Sequence, residues 1–160
     1  MKRLRLNPEY LRRHLFCVLV FLGLAGWFGY DGFVRYPATD AAVLFEAIEK
    51  VRPEAEMPPE ALEAFKLQKI RTQYGFAFVT FAVALVVALR LGGSAAFDFA
   101  WDGESFVTGG RRYVYADIVS VDRRAWEKQG ILGLQLKDGR RVRLDAWHHL
   151  GVDEFQEQLG

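Results

Sequence analysis

Two uncharged apolar runs, Leu15 to Tyr30 (LFCVLVFLGLAGWFGY) and Tyr74 to Leu89 (YGFAFVTFAVALVVAL), constrain this chain more than any other feature. Each holds sixteen residues, and with flanking side chains that snorkel each reaches the roughly 17 to 25 residues with which a helix spans a bilayer. The pattern predicts an α+β membrane protein, a two-helix transmembrane hairpin followed by a small antiparallel β domain with a short C-terminal helix. The expected boundaries are a basic cytoplasmic N-terminus over 1–14, a first span over 15–33, an extracytoplasmic helical loop over 34–73, a second span over 74–91 and the β domain over 92–160.

Flanking charge sets the orientation. Met1 to His14 carries Lys2, Arg3, Arg5, Arg12 and Arg13 against Glu9 alone, and a basic cluster before a first span favours a cytoplasmic N-terminus. A second span returns the chain, so both termini are expected on the cytoplasmic side. Lys66, Lys69 and Arg71 before the second span outnumber Arg90 after it. That local bias points the other way, and the first span is given precedence. Gly23-Leu24-Ala25 resembles a signal-peptide cleavage site. The apolar run nevertheless continues through Trp27, Phe28 and Tyr30 towards Phe33 and Tyr36, an interfacial aromatic belt that suits a retained span. Cys17, the only cysteine, reads as a small apolar side chain in lipid.

Between the spans, Thr39 or Asp40 caps a helix running to about Val51, with Leu44, Ile48 and Val51 at helical spacing. It either lies on the outer membrane surface or docks a partner, or else packs on its neighbour within the loop. Pro59, with Glu60 and Glu63 in the first turns, starts a second helix expected to run unbroken to about Arg90. Small residues four apart, Ala25 with Gly29 and Ala84 with Ala88, suit close helix packing.

Gly92-Gly93-Ser94 is expected to be a flexible joint, after which the period changes to alternation. Six strand segments follow: Phe97–Trp101, Ser105–Thr108, Arg112–Tyr115, Asp117–Arg123, Gly130–Leu136 and Arg140–Ala146. Val152 to Leu159 has helical spacing. Parity fixes the last hairpin. A two-residue Asp138-Gly139 turn would set Leu136 opposite Arg141 and Leu134 opposite Arg143, with charge on the core face. A three-residue loop, Lys137-Asp138-Gly139 with glycine left-handed, pairs Leu134 with Val142 and Leu132 with Leu144.

No constellation of catalytic groups emerges, and no enzyme, cofactor or metal is expected. His14 lies in the basic segment. His148 and His149, with Asp145 or Asp153 at hand, are neighbours in extended chain and point to opposite sides. Asp98, Asp102 and Glu104 bracket a turn, where acids are common for conformational reasons. Trp101, Trp126 and Trp147 are expected to close a small core rather than line a pocket. Overall charge is +1, with no drive towards nucleic acid. Residues 92–160 hold nine basic against eleven acidic side chains, so only a local patch could meet an anionic headgroup. Arg141 and Arg143, near Gln135, share the outward face under the pairing above and are the candidate contacts for a headgroup or a partner.

Tyr113-Val-Tyr-Ala-Asp-Ile-Val-Ser-Val-Asp122, Trp126, Gly130-Ile-Leu-Gly-Leu-Gln-Leu136, Lys137-Asp-Gly139 and the closing helix resemble the bacterial PH-like domains attached to membrane spans. The resemblance covers roughly Ser94 to Leu159 and carries no family binding residues. It implies a bent antiparallel sheet or partial barrel closed by a helix, in a multi-pass protein of the bacterial inner membrane, serving in binding or assembly without catalysis. Six strands are counted where that fold has seven. The expected contacts are membrane lipids through the hairpin and a protein partner or second copy, with headgroup recognition as the alternative function.

Overall fold

The computed structural model describes residues 1–53 and 57–159. The chain divides into two compact units, Leu15–Ala88 and a second made of Met1–His14 with Leu89–Gly160.

The helical unit draws on four helices, α1 (Pro8–Tyr30), α2 (Tyr36–Ala38), α3 (Ala41–Glu49) and α4 (Pro59–Ala95), with a π-helical turn at Asp31–Arg35. Proline opens α4 as expected, where its missing N–H costs nothing. Asp40 caps α3 by accepting from the backbone N–H groups of Ala42 (2.9 Å) and Val43 (3.4 Å). Lys50, left-handed at φ 61°, ends it. Pro8–Ala38 and α4 are both long and apolar enough to cross a membrane, and only 11% and 6% of their most apolar stretches are buried. Helix α3 buries Ala41 and Leu44. Phe45 meets Phe65 of α4 with ring centroids 5.0 Å apart, and Lys69 reaches Glu49 at 3.4 Å. Of the two readings of this amphipathic helix, packing on a neighbour is the one these contacts describe.

The long helices meet through Phe28 with Phe76 (5.3 Å) and Phe33 with Tyr74 (4.6 Å), and Ala84 is buried. Close approach occurs not at Gly29, where an added Cβ would meet nothing within 4 Å, but at Gly32, where it would lie 2.8 Å from Tyr74 Cε1. Gly32 lies within the π turn at Asp31–Arg35, outside the regular helical register in which the four-residue spacing was read. Gly32→Val is therefore expected to destabilise the helix pair by about 1 to 3 kcal/mol through overpacking, while Gly29→Ala stays within about 0.5 kcal/mol. Thermal unfolding in detergent checks this, and equal midpoints for the two variants would refute it.

In the β unit all three sheets are antiparallel. One has the order β1 (Lys2–Arg3), β3 (Phe99–Trp101), β4 (Ser105–Thr108), β5 (Arg111–Val114). The second pairs β2 (Arg5–Leu6) with β9 (His149–Leu150), and the third runs β6 (Ile118–Asp122), β7 (Ile131–Leu136), β8 (Arg141–Asp145). A short helix α5 (Trp126–Gln129) and the closing helix α6 (Val152–Gln158) complete it. The six strands read from the sequence are present with trimmed ends. Strands β1, β2 and β9 were not anticipated, and the first two come from the basic N-terminal segment.

The last hairpin has the expected register, with Leu132 opposite Leu144 and Leu134 opposite Val142. Gly139 takes φ 86° in the three-residue loop, where a side chain would be strained. The core gathers Phe99, Trp101, Phe106, Tyr113, the three leucines of β7, Val142, Leu144, Val152 and Phe155, with Leu4 and Trp126 packed against it. Trp101 and Trp126 thus serve the core as expected, whereas Trp147 is 62% exposed. The Gly92-Gly93-Ser94 joint is a correction: these residues are helical, the last turns of α4. Two glycines cost a helix only about 1 kcal/mol each, and contacts of Ser94 described below hold that end in place.

Candidate functional site

Two concave surfaces on the β unit carry polar chemistry, each of about 650 Å³. The first is a groove across the outer face of β6–β7–β8. With Leu132, Leu134, Leu136, Val142 and Leu144 turned to the core, period-two alternation sends their neighbours outward. The ladder then aligns Ser120 with Gln135 and Arg141, and Asp122 with Gly133 and Arg143. Gly133 keeps the groove floor open, since a Cβ there would press on Asp122 Cβ at 3.3 Å.

The expected contact residues Gln135, Arg141 and Arg143 all line this groove, joined by Arg124, Asp122 and Gln129. Arg141 Nε donates to Gln135 Oε1 at 2.8 Å. Arg124 grips Asp122 with two bonds, Nε to Oδ1 at 3.0 Å and a terminal nitrogen to Oδ2 at 2.8 Å. Those bonds, the Arg124 backbone N–H and the adjacent positive charge hold the Asp122 carboxyl down at about 2. Arg143 lies 4.0 Å from Asp145. The groove therefore presents fixed, largely partnered charge rather than a bare cationic patch.

The second surface is lined by Tyr10, His14, Arg90, Gly93, Ser94, Phe97, Arg143, Asp145, His148 and His149. It collects all three histidines of the chain, which the sequence places far apart. Tyr10 stacks between two of them, with ring centroids 3.9 Å from His14 and 4.3 Å from His148. Ser94 ties the cluster together. Its hydroxyl lies 3.3 Å from Tyr10 Oη and 3.4 Å from His148 Nδ1, and its carbonyl accepts from His149 Nε2 at 2.9 Å. A carbonyl can only accept, so His149 carries its proton on Nε2. Its Nδ1 is buried without a hydrogen-bond partner among the described residues, at a cost of about 1 to 3 kcal/mol. By the same logic His14 donates from Nδ1 to the Tyr10 carbonyl at 2.9 Å, leaving Nε2 as its basic nitrogen.

His148 Nε2 stands 3.9 Å from Asp145. Burial lowers its pKa from the ordinary value, the Asp145 carboxylate opposes this, and the charges of His149, His14 and Arg143 add to the lowering. Among the described residues no three His, Cys, Asp or Glu side chains come together as a metal-ligating group. The acidic residues of the Asp102 turn act conformationally. Asp102 Oδ1 accepts from the backbone N–H groups of Glu104 (3.1 Å) and Ser105 (2.9 Å), which lower its pKa.

The histidine cluster was missed because it depends on the N-terminal strands. Leu6 pairs with His149, and the Asn7 N–H donates to the His148 carbonyl at 2.8 Å, which brings the first turns of α1 beside β9. One signal was present: Leu4 and Leu6 alternate with Arg3 and Arg5, the period of a strand. Joining Met1–His14 also changes the charge balance. With its five basic residues and one acid, and with Arg90, the β unit holds fifteen basic against twelve acidic side chains. Comparison with protein families, with curated proteins and with solved structures finds no match.

Proposed function

We propose that the chain is a non-enzymatic, membrane-anchored binding module of the bacterial inner membrane, which uses the β6–β7–β8 groove to hold a protein partner on the cytoplasmic side. The carrying observation is the groove itself: a glycine-floored concavity whose arginines are fixed in place, in a β unit attached to two helices with bare apolar sides. Phe16, Phe78 and Leu89 are 68%, 73% and 67% exposed, far more apolar surface than a soluble chain leaves uncovered. Pairing of β1 with β3 requires the N-terminus and the β unit to share one side of any bilayer that both helices cross, and the basic N-terminal flank favours the cytoplasm. A PH-like fold is supported by the antiparallel sheets closed by a helix, and β9 raises the strands between residues 97 and 150 to seven.

A protein partner is preferred over a headgroup for this groove because Arg124 is committed to Asp122 and Arg141 to Gln135. Tethering at the bilayer then raises the local concentration of the module for its partner. The test places a photocrosslinking residue at Ser120 or Gln129 in the groove, and at Val114 or Glu157 away from it, in the full chain in native membranes. One shared adduct from both groove positions, absent from the others and lost on Arg141→Glu, is expected. A lone self-adduct would make the partner a second copy, and equal labelling from all four positions would overturn the assignment.

A further inference from the structure

We propose that the pocket lined by Tyr10, His14, Arg90, Ser94, Arg143 and His148 is a second binding site, sharing Arg143 with the partner groove, for a phosphate group carried by a lipid headgroup. The donor set is the first argument. Two guanidinium groups, two hydroxyls and three imidazoles line one concavity of about 650 Å³, and a single carboxylate, Asp145, opposes them. Asp145 is already engaged, accepting from the Trp147 backbone N–H at 3.0 Å and standing 4.0 Å from Arg143 and 3.9 Å from His148. Arginine matches phosphate geometry bidentately, and hydroxyls and imidazolium add directed donors.

Depth is the second argument, and it rests on the anchored reading above. His14 immediately precedes the first apolar run and Arg90 immediately follows the second, so both residues fall where hydrocarbon gives way to headgroup phosphates. Trp147, adjacent in sequence to His148 and 62% exposed, is the residue type found at that level. The net basic charge of the assembled β unit works in the same direction.

The site has a built-in pH dependence. The groups facing His148 are Tyr10 and His14 from α1, Ser94 and Arg90 from α4, Arg143 and Asp145 from β8, and His149 beside it. Burial disfavours the charged form of His148, and an anion in the pocket favours it. Binding then favours uptake of a proton by His148, which its ring resonances report.

The test uses the full chain in micelles of an uncharged detergent, titrated separately with short-chain phosphatidic acid, short-chain phosphatidylcholine and inorganic phosphate, read by the histidine ring proton resonances. Phosphatidic acid is expected to saturate and to move the His14 and His148 resonances. Arg90→Gln should weaken it about tenfold, as loss of one charged hydrogen-bond donor predicts, with Arg90→Lys intermediate and Arg141→Gln without effect. Inorganic phosphate binding as tightly as phosphatidic acid would overturn the headgroup as the source. No saturable binding of either phosphate, equal binding of phosphatidylcholine, or binding indifferent to Arg90→Gln would overturn the site. Alkaline extraction of native membranes separates the two proposals. A chain that stays in the membrane but binds no phosphate loses only this site, and one that binds phosphate but is extracted loses the anchor.

Discussion

Removing Met1 to Asn7 is expected to destabilise the β domain by about 3 to 5 kcal/mol, which approaches the whole stability of a small domain. The segment adds β1 to the edge of β3 and β2 to β9. The Leu4 N–H donates to the Phe99 carbonyl at 3.0 Å and the Asn7 N–H to the His148 carbonyl at 2.8 Å. Backbone bonds of this kind contribute about 1 kcal/mol each, and the packing of Leu4 against the core adds about 2 kcal/mol. Deletion also bares β3, whose Phe99, Ala100 and Trp101 are all buried, as an apolar edge open to aggregation. A fragment spanning 92–160, which the sequence alone presents as an independent domain, should therefore show weak amide protection and a broad melt, with residues 1–7 restoring both when fused back. A fragment that melts as sharply and as high as the β domain of the full chain would show that the N-terminal strands are ornamental.

That dependence marks the line between what the sequence discloses and what it hides. Hairpin register was legible because misplacing Arg141 or Arg143 onto a leucine face is costly, so parity excluded the two-residue turn and favoured the three-residue loop. The long helix from Pro59 was legible from its opening proline and the absence of a strong breaker. The groove was half legible: Gln135, Arg141 and Arg143 followed from alternation, whereas Arg124 and Asp122 needed the bulged pairing of β6 with β7. Long-range pairing was not legible. Leu4 and Leu6 alternate over too few residues to outweigh a basic cluster that reads as a flank, and without β2 beside β9 nothing brings His14 to His148. The close approach at Gly32 was hidden for a local reason, since no spacing rule anticipates the π turn at Asp31–Arg35.

Phe155→Ala is expected to cost about 3 to 5 kcal/mol, the range for emptying a buried aromatic site. Phe155 is fully buried and packs α6 onto the aromatic side chains of the β3–β4–β5 sheet and the turn that follows it. Its ring meets Phe99 (4.8 Å) and Trp101 (5.7 Å) edge-on and lies 6.2 Å from Phe106 and 6.3 Å from Tyr115. Such aromatic pairs add about 0.5 to 1.5 kcal/mol beyond burial. Helix α6 can seat that ring because Gly151, at φ 97°, turns the chain directly beneath Trp101, where a Cβ would come within 3.1 Å of Cη2. Phe155→Leu keeps most of the volume and should lose only about 1 to 2 kcal/mol, and Glu157→Ala on the exposed face should stay within about 0.5 kcal/mol. At roughly 4 to 8 °C per kcal/mol for a domain of this size, the three variants separate clearly in a thermal melt of the full chain. If Phe155→Ala melted with Glu157→Ala, α6 would be a tail lying on the domain rather than its closure, and the core would have to be held shut by β1 and β2 alone.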